Sequence, residues 1–331
     1  MAPLSLAADS PQPDRPMHVR YLEHARDVFR FTIEERQAGR PVALLVVTDT
    51  LGGALRGEGS LLAVTGDGLM AGYVSNGCVD ADVVLQAQEA IELGQPRSIR
   101  YGQGSPFLDI ALPCGGAIEC LVLPDPPVAA LTATLTRLDA RRPVRVRIAR
   151  DSGVLKVSDD LAMPGDNAHF AFTALPKPRI RMAGRGAVLM ATARLGIASG
   201  FEVIAATPDP DEVETLKREG AMTVHHLTSL EQPPKVEDDP WTAFLLLFHD
   251  HEWEPALLEQ VLDQPAYFIG AMGSRRTHEA RIMSLEAAGH SAADIARVQG
   301  PLGVVRSLRD AQLIAVSALA QVVEKLQSRQ A

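Results

Sequence analysis

The sequence predicts an α/β protein, with a mixed α/β domain first and a doubly wound parallel sheet second. Apolar runs of strand length alternate with segments of helical spacing along most of the 331 residues. Gly184-Arg185-Gly186 lies where a predicted strand meets a predicted helix. The composition, with 46% hydrophobic and 22% charged residues, is typical of a globular protein. Together these observations predict a Rossmann-like second domain.

The first 124 residues combine two predicted helices with short strands. Residues 1–16 are rich in Pro, Ser and Asp and are predicted to be disordered. Helices are predicted over 18–38 and 79–93, the second directly after Gly77-Cys78. Because Pro124-Asp125-Pro126-Pro127 breaks regular structure, the first domain is predicted over 17–124. Its predicted strands cover 41–48, 60–64, 69–74, 97–101 and 117–123.

Residues 125–178 are predicted to be a connecting segment, with a helix to residue 138 and strand-like runs at 144–149 and 154–157. From residue 179 onward strands and helices alternate, as in βαβ units. The predicted strands are 179–183, 202–206, 243–248 and 266–269, and the predicted helices are 188–199, 211–219, 254–262, 275–288 and 308–327. This alternation predicts the Rossmann-like domain over 179–331.

Charge and cysteine content exclude several classes of function. The net charge of −9 offers no basic field for nucleic acid or an anionic membrane. No apolar run is long enough to cross a bilayer, and the N-terminus lacks the basic start and apolar core of a signal peptide. Three cysteines are too few for a disulfide framework, which favours a reducing cytoplasm. Small molecules and proteins are the expected partners.

Two turns in the first domain pair glycine with cysteine, at Gly77-Cys78 and Cys114-Gly115-Gly116. Glycine lets a ligand approach the backbone amides closely, and cysteine adds a nucleophilic sulfur. Such turns suit an anionic, sulfur-bearing or metal-bearing small molecule. The alternative for either cysteine is a small buried side chain, and Cys120 is predicted to be one because it lies within a strand pattern.

The turn Gly184-Arg185-Gly186 could hold a phosphate on the amides of the following helix. The third glycine of a dinucleotide fingerprint is replaced by Leu189, however, and Thr207 stands where a ribose-binding carboxylate is expected. A purely structural turn is therefore the alternative.

Two further motifs follow predicted strands of the second domain, where parallel sheets bind ligands. His249-Asp250-His251 offers two imidazoles and a carboxylate to a ligand. The sequence shows no further, distant metal ligand, so it does not predict a tetrahedral zinc site. Ser274-Arg275 opens a helix and offers an anion site with a cation beside it. The alternatives are a solvated loop and a solvated helix start.

Taken together, these motifs resemble the xanthine dehydrogenase accessory protein family (XdhC/CoxI). The first part of the resemblance, over about 42–123, includes the loop Arg56-Gly57-Glu58-Gly59, the segment from Gly72 to Cys78 and the Cys114-Gly115-Gly116 motif. The second part, over about 179–323, includes the glycine turn, His249-Asp250-His251 and the run from Ile269 to Arg276. The sequence departs from the family pattern at Asn76, Ala187, Leu189 and Leu313.

The resemblance implies a chaperone, and not an enzyme with turnover of its own. Such a protein binds the molybdenum cofactor in its molybdopterin form, protects it during sulfuration and inserts it into a molybdenum hydroxylase apo-enzyme of the xanthine dehydrogenase or aldehyde oxidase type. A cysteine desulfurase or sulfurtransferase is a further implied partner, and a homodimer is compatible with this role. The implied cofactor contacts are Arg56, Gly77, Cys78, Cys114, Gly115, Gly116, Gly184, Gly186, His249, Asp250, His251, Ser274 and Arg275.

Among these contacts, Cys114 is the first candidate to meet molybdenum or handle sulfur, and Cys78 is the second. Arg56 and Arg275 are candidates to meet the phosphate. Two other interpretations stay open. One is an NAD(P)-dependent oxidoreductase with a cysteine or His249 in its active site, although the incomplete glycine fingerprint makes NAD(P) an unexpected cofactor. The other is a scaffold that holds a sulfurtransferase and its client together.

Overall fold

The computed structural model describes residues 19–53, 56–75, 77–105, 115–249 and 251–330. The chain divides into two compact units, Met1–Leu175 and Pro176–Ala331. Each unit has a sheet and a hydrophobic core of its own.

The first unit is built on a six-stranded sheet. Its strands are β1 (Val19–Arg20), β2 (Val42–Leu51), β3 (Leu61–Thr65), β4 (Met70–Gly72), β5 (Arg97–Gly102) and β6 (Ala117–Pro124). They lie in the order β1-β4-β3-β2-β6-β5. The pairing is antiparallel throughout except between β1 and β4, which run parallel.

Helices α1 (Ala25–Gln37) and α2 (Asp80–Leu93) cover opposite faces of this sheet. Strand β2 is buried on both faces because successive side chains of a strand point in opposite directions. Leu44 belongs to the same core as Phe29 of α1, whereas Leu45 belongs to the same core as Val83 of α2. The second core also includes Cys120, whose pKa is raised to about 12 by burial. Cys120 is thus a core residue.

Residues 125–175 fall within the first unit, and residues 176–178 begin the second. The segment 125–175 forms α3 (Val128–Asp139) and the strands β7 (Val144–Ala149), β8 (Leu155–Ser158) and β9 (His169–Ala174), which pair antiparallel in the order β8-β7-β9. Leu131, Val146 and Phe172 share one core with Phe29 of α1. Strand β9 is not predicted from the sequence, because its burial depends on this distant helix.

The second unit has a fully parallel six-stranded sheet. Its strands are β10 (Arg179–Gly184), β11 (Glu202–Thr207), β12 (Thr223–His226), β13 (Thr242–Leu247), β14 (Phe268–Ala271) and β15 (Val298–Gln299). Their order is β12-β11-β10-β13-β14-β15, with every pair parallel. This is the strand order of a Rossmann fold. The predicted fold class is confirmed.

The crossovers of the second unit are helical. Its helices are α4 (Gly186–Ala198), α5 (Pro210–Arg218), α6 (Glu254–Leu262), α7 (Arg275–Ala287), α8 (Ala292–Arg297) and α9 (Ala311–Gln330). The short elements β12, α8 and β15 are absent from the sequence prediction. Within the described residues, no helix combines the length and apolarity that a membrane span requires.

Gly184 sits at the point where the strand order of the second sheet reverses, between β10 and β13. It pairs with Leu247, and a Cβ at Gly184 would lie 2.7 Å from the Cβ of Leu247 and 2.9 Å from its carbonyl oxygen. Only glycine therefore fits without a shift of β13. In parallel α/β sheets this reversal point opens a crevice that binds ligands.

The last residue of β4 provides a test of the first unit. Gly72 has a φ of +95°, and a Cβ there would lie 2.6 Å from the carbonyl oxygen of Leu61. Since backbone strain and a clash with β3 add together, we expect Gly72→Ala to lower the free energy of unfolding by about 3 kcal/mol or more. Urea unfolding followed by circular dichroism measures the loss.

Gly39 is the matched control for this substitution. Its φ is +71°, but within the part of the chain that the structure describes no atom lies within 4 Å of the position that its Cβ would take. Gly39→Ala therefore carries only the conformational cost of about 1–2 kcal/mol. Equal losses in the two variants would contradict the packing described for Gly72.

Candidate functional site

Strand directions bring the candidate residues of the first unit to one edge of its sheet. Strands β2 and β4 end at this edge, and β3 and β6 begin there, because Leu51 pairs with Ala117 and Gly72 pairs with Leu62. Three segments adjoin these strand ends: the Arg56 loop, the turn Gly77-Cys78 and Gly115-Gly116. The topology thus collects motifs that are far apart in the sequence.

The turn Gly77-Cys78 is exposed, and the residues on both sides of it are buried and hydrogen-bonded to each other. Gly77 has a φ of +94° with no atom of the described residues within 4 Å of the position of a Cβ, and Cys78 is exposed. Ser75, which is buried before the turn, donates its hydroxyl proton to the carboxylate of Asp80, which is buried after the turn. The Ser75 hydroxyl also accepts a hydrogen bond from the Val79 amide at 3.3 Å. Cys78 is therefore a solvent-accessible thiol at a held position and not a core residue.

Gly115 and Gly116 lie at the start of β6. Gly115 has a φ of +67°, is exposed, and has no atom of the described residues within 4 Å of the position that a Cβ would take. Gly116 is buried: a Cβ at Gly52 would lie 3.3 Å from its Cα, and its carbonyl oxygen accepts the Gln103 amide at 3.2 Å. Cys114, which precedes this turn, lies outside the described residues.

Arg56, a candidate to meet phosphate, is engaged within the first unit. Its Nη1 forms an ion pair with the Glu23 carboxylate, and its Nη2 donates to the Glu23 carbonyl oxygen at 3.1 Å. The guanidinium lies 4.6 Å from the centroid of the Tyr73 ring, and the Tyr73 hydroxyl donates to Glu23 at 2.5 Å. Burial and this hydrogen bond raise the pKa of Tyr73. The charge of Arg56 is therefore already matched by Glu23.

In the glycine turn of the second unit, the Gly186 amide is hydrogen-bonded to a carboxylate of the same unit. The Gly186 amide, at the first residue of α4, donates to Oε1 of Glu212 at 2.7 Å. The Thr207 hydroxyl donates to Oε2 of the same carboxylate at 2.6 Å. Glu212 thus occupies the helix N-terminus where a dinucleotide fold places a phosphate. Sequence reasoning missed this residue, since nothing in its spacing from Gly186 marks it.

The histidines after β13 differ in their surroundings. His249 is exposed, and Asp250 lies outside the described residues. His251 has Nδ1 3.0 Å from Oε1 of Glu254. Because a carboxylate only accepts, Nδ1 carries the proton, and in the neutral ring Nε2 is left as an acceptor. Among the residues that the structure describes, no three His, Cys, Asp or Glu side chains are grouped to hold a metal ion.

Glu254 is itself held by a buried arginine that sequence reasoning also missed. Arg281 donates to the two carboxylate oxygens of Glu254 at 2.9 and 2.8 Å and to the Met272 carbonyl oxygen at 3.0 Å. Glu254 and Arg281 are each only 5% exposed. The pair joins the start of α6 to α7, whose Arg281 also bonds the loop after β14, and it fixes the carboxylate that contacts His251. A separation of 27 residues leaves no local signal for such a pair.

A cavity of about 480 Å³ opens beside the first turn of α7. Its wall is formed by residues 272–275, 301–302 and 305–308 with Ile314 and Ser317 of α9. Ser274 caps α7 by accepting the Thr277 amide at 3.1 Å, and Arg275 is exposed. Both predicted residues of this motif therefore line one cavity at the carboxyl edge of the sheet.

Family models match one segment in each of the two units. The model of the XdhC and CoxI family matches residues 35–102, and that of the XdhC Rossmann domain matches residues 180–322. The molybdenum cofactor insertion chaperone PaoD of Escherichia coli (strain K12) is 32% identical over 298 residues, which cover 90% of this chain and 87% of PaoD. The uncharacterized protein YqeB of the same organism is 20% identical over 299 residues, which cover 90% of this chain and 46% of YqeB.

A solved structure supports the fold alone. A crystal structure described as a xanthine dehydrogenase from Bacillus halodurans superposes with a TM-score of 0.76 at 18% identity, over 92% of this chain and 96% of that one. Two family matches, one in each unit, and a relative of 32% identity over most of both lengths identify the chain. It belongs to the XdhC and CoxI family.

Proposed function

We propose that this protein binds the molybdenum cofactor as cargo, protects it during sulfuration and inserts it into a xanthine dehydrogenase or aldehyde oxidase type molybdoenzyme. The observation that carries the proposal is the similarity to PaoD, a molybdenum cofactor insertion chaperone, over 90% of this chain and 87% of PaoD. Rossmann-like sheets serve many unrelated functions, but this similarity extends through both units.

The first unit offers thiols and uncovered peptide groups. Molybdenum accepts sulfur ligands. Cys78 has an exposed thiol, and the turn that contains it is closed by the hydrogen bond from the Val79 amide to Ser75. We assign Cys114 and Cys78 to contact with the metal or with the sulfur being installed. Gly77 and Gly115 are exposed, and no atom of the described residues lies within 4 Å of either Cβ position, so a flat ligand can approach the backbone there.

The second unit offers hydrogen-bonding groups and a cation at the carboxyl edge of its sheet. His251 is oriented by Glu254, so Nε2 of the neutral ring accepts from a donor on the cargo. His249 and Asp250 belong to the same loop and are assigned with it. Ser274 and Arg275 provide the first turn of α7, which favours an anion. Gly184 and Gly186 shape the crevice, and the Gly186 amide is bonded to Glu212.

The client in this proposal is a molybdenum hydroxylase apo-enzyme, and the sulfur donor is a cysteine desulfurase or sulfurtransferase. We place the protein in the cytoplasm, where such enzymes receive their cofactor, and propose a homodimer as its working form. Analytical ultracentrifugation of the cofactor-loaded chain tests the last point.

The first prediction concerns the cargo. The chain purified without oxygen from cells that make the cofactor is expected to carry molybdenum and pterin fluorescence in about stoichiometric amounts. Added cofactor should raise the melting temperature of the empty chain, since a ligand that binds only the folded state stabilises it. If neither the cofactor nor a nicotinamide nucleotide changed the melting temperature, the scaffold interpretation would replace this one.

The second prediction concerns the thiols. Cys78 is expected to react with iodoacetamide in the native chain, and bound cofactor should slow this reaction about tenfold or more, as expected for a thiol buried by a ligand. Cys120 is fully buried, and burial raises its pKa to about 12, so it should stay unmodified and serve as the internal control. Peptide mapping by mass spectrometry reads both sites.

Substitution tests each of the two candidate cysteines. Cys78→Ser and Cys114→Ser should each weaken cofactor binding about tenfold, which corresponds to about 1.4 kcal/mol. Leu85→Ala, at an exposed position of α2, is the surface control. A serine variant that binds the cofactor and activates the client as well as the parent does would remove that cysteine from the site.

The third prediction concerns the oxidoreductase alternative. Because the Glu212 carboxylate holds the Gly186 amide, nicotinamide nucleotides should leave the melting temperature of the parent chain unchanged at millimolar concentration. Glu212→Ala should lower the free energy of unfolding by about 1–3 kcal/mol, because the buried Thr207 hydroxyl loses its acceptor.

Glu214 provides the matched control on the same helix. Its carboxylate pairs with Lys217 at 2.8 Å on the surface, and this pair is worth under about 1 kcal/mol. Glu214→Ala should therefore change stability little. Saturable stabilisation of the parent by a nicotinamide nucleotide would revive the oxidoreductase.

A further inference from the structure

We propose that the cavity beside α7 binds the phosphate end of a phosphate monoester, with Arg275 and Arg306 as its cations. The inference rests on the proposed function, in which the ester is the terminal phosphate of the pterin cofactor. It adds a residue that no sequence motif indicated, Arg306, and moves the phosphate away from Arg56 and from the glycine turn of α4.

The size and lining of the cavity suit an ester better than a bare anion. Its volume of about 480 Å³ falls in the range of small-molecule sites, about 300–1,000 Å³. Met272, Leu302 and Ile314 provide apolar surface, whereas Ser274, Ser307 and the two arginines provide polar surface. An inorganic phosphate ion would contact only the polar part of this wall. In a phosphate monoester, the organic group would contact the apolar part as well.

The two arginines of the cavity form no ion pair with any carboxylate that the structure describes. Arg306 donates to the Pro301 carbonyl oxygen at 3.2 Å, and neither it nor Arg275 has a carboxylate partner among the described residues. Asp310, the acid that follows in the chain, uses Oδ1 to accept the amides of Gln312 and Leu313 at 2.9 and 3.0 Å. In a chain of net charge −9, these two cations are a local excess of positive charge.

The backbone supports the same ligand chemistry. The amides of the first turn of a helix have no intrahelical acceptor, and Ser274 satisfies that of Thr277 alone. The amides of Arg275 and Arg276 therefore add to the field that favours an anion at this 13-residue helix. At the Gly184 turn, by contrast, Glu212 already supplies the negative charge.

The loop that carries Arg306 is anchored. The Gly303 amide donates to the Gln321 side chain at 2.7 Å, and the Val305 amide donates to the Ser317 hydroxyl at 2.8 Å. Both acceptors lie on α9, so the loop is fixed to a 20-residue helix. Such anchoring lowers the entropic cost that arises when Arg306 meets a ligand.

Inorganic phosphate is the first probe. Isothermal titration of the full chain at constant ionic strength compares the parent with R275A, R306A and the double variant R275A/R306A. Removal of one charge-assisted hydrogen-bond donor should weaken phosphate binding about tenfold, and removal of both should weaken it about a hundredfold. Binding of inorganic phosphate should also weaken as the pH falls from 8 to 5, because the ion loses its second negative charge over this range and meets the two arginines with a smaller charge.

Two exposed arginines outside the cavity wall are matched controls, Arg276 on the same helix and Arg309 on the same loop. R276A and R309A remove the same net charge, so they should bind phosphate within about threefold of the parent if only general screening changes. An equal weakening in all four single variants would overturn the cavity as a site and indicate non-specific attraction.

The cofactor is the second probe, and it separates this inference from the proposed function. Competition of phosphate with the cofactor, together with weak binding of both by R275A/R306A, supports the inference. If the double variant bound the cofactor as tightly as the parent, the inference would be overturned while the proposed function stood. If the parent bound no cofactor, the proposed function would fail, and equal phosphate titrations of the parent and R275A/R306A would overturn the anion site as well.

Discussion

The candidate site of the second unit depends on one buried ion pair. Arg281 directs three hydrogen bonds to the two carboxylate oxygens of Glu254 and to the Met272 carbonyl, and both charged side chains are almost fully removed from water. A buried charge without its partner costs about 3–5 kcal/mol, so the two segments that the pair joins do not separate readily. Through this pair, hydrogen bonds connect His251 after β13 to Met272, a residue of the cavity wall after β14.

Carboxylates decide which cations and amides of this protein remain open to an anion. Glu23 neutralises Arg56, and Glu212 caps the glycine turn at Gly186. The first turn of α7 has no such partner among the described residues, and Arg275 beside it is exposed. A Rossmann-like fold thus keeps its phosphate-binding geometry at one helix while its electrostatics favour another, which illustrates why fold alone does not establish a nucleotide site.

Most of the regular structure could be predicted from local patterns. The long apolar strands β2 and β13 and the amphipathic helices are evident from periodicity, and the glycine turns mark strand ends. Strands β12 and β15 have only four and two residues, too few to show a period, whereas β9 does alternate buried and partly exposed side chains but was not recognised. Their pairing is decided by neighbours, as in β9, where Phe172 packs into the core of α1.

By itself the sequence determined the two-part α/β organisation, the family and the residues at the turns, because these depend on local spacing and residue type. Only the tertiary structure decided which of those residues meet. The antiparallel register placed the segments of Cys78 and Gly115 at the same edge of the first sheet. The ion pair with Glu23 occupies Arg56, which the sequence had suggested as a phosphate contact. Glu212 at the glycine turn and the Arg281–Glu254 pair became evident only from the side-chain contacts. Such contacts join residues tens of positions apart, so they follow from packing and charge compensation and not from any local pattern.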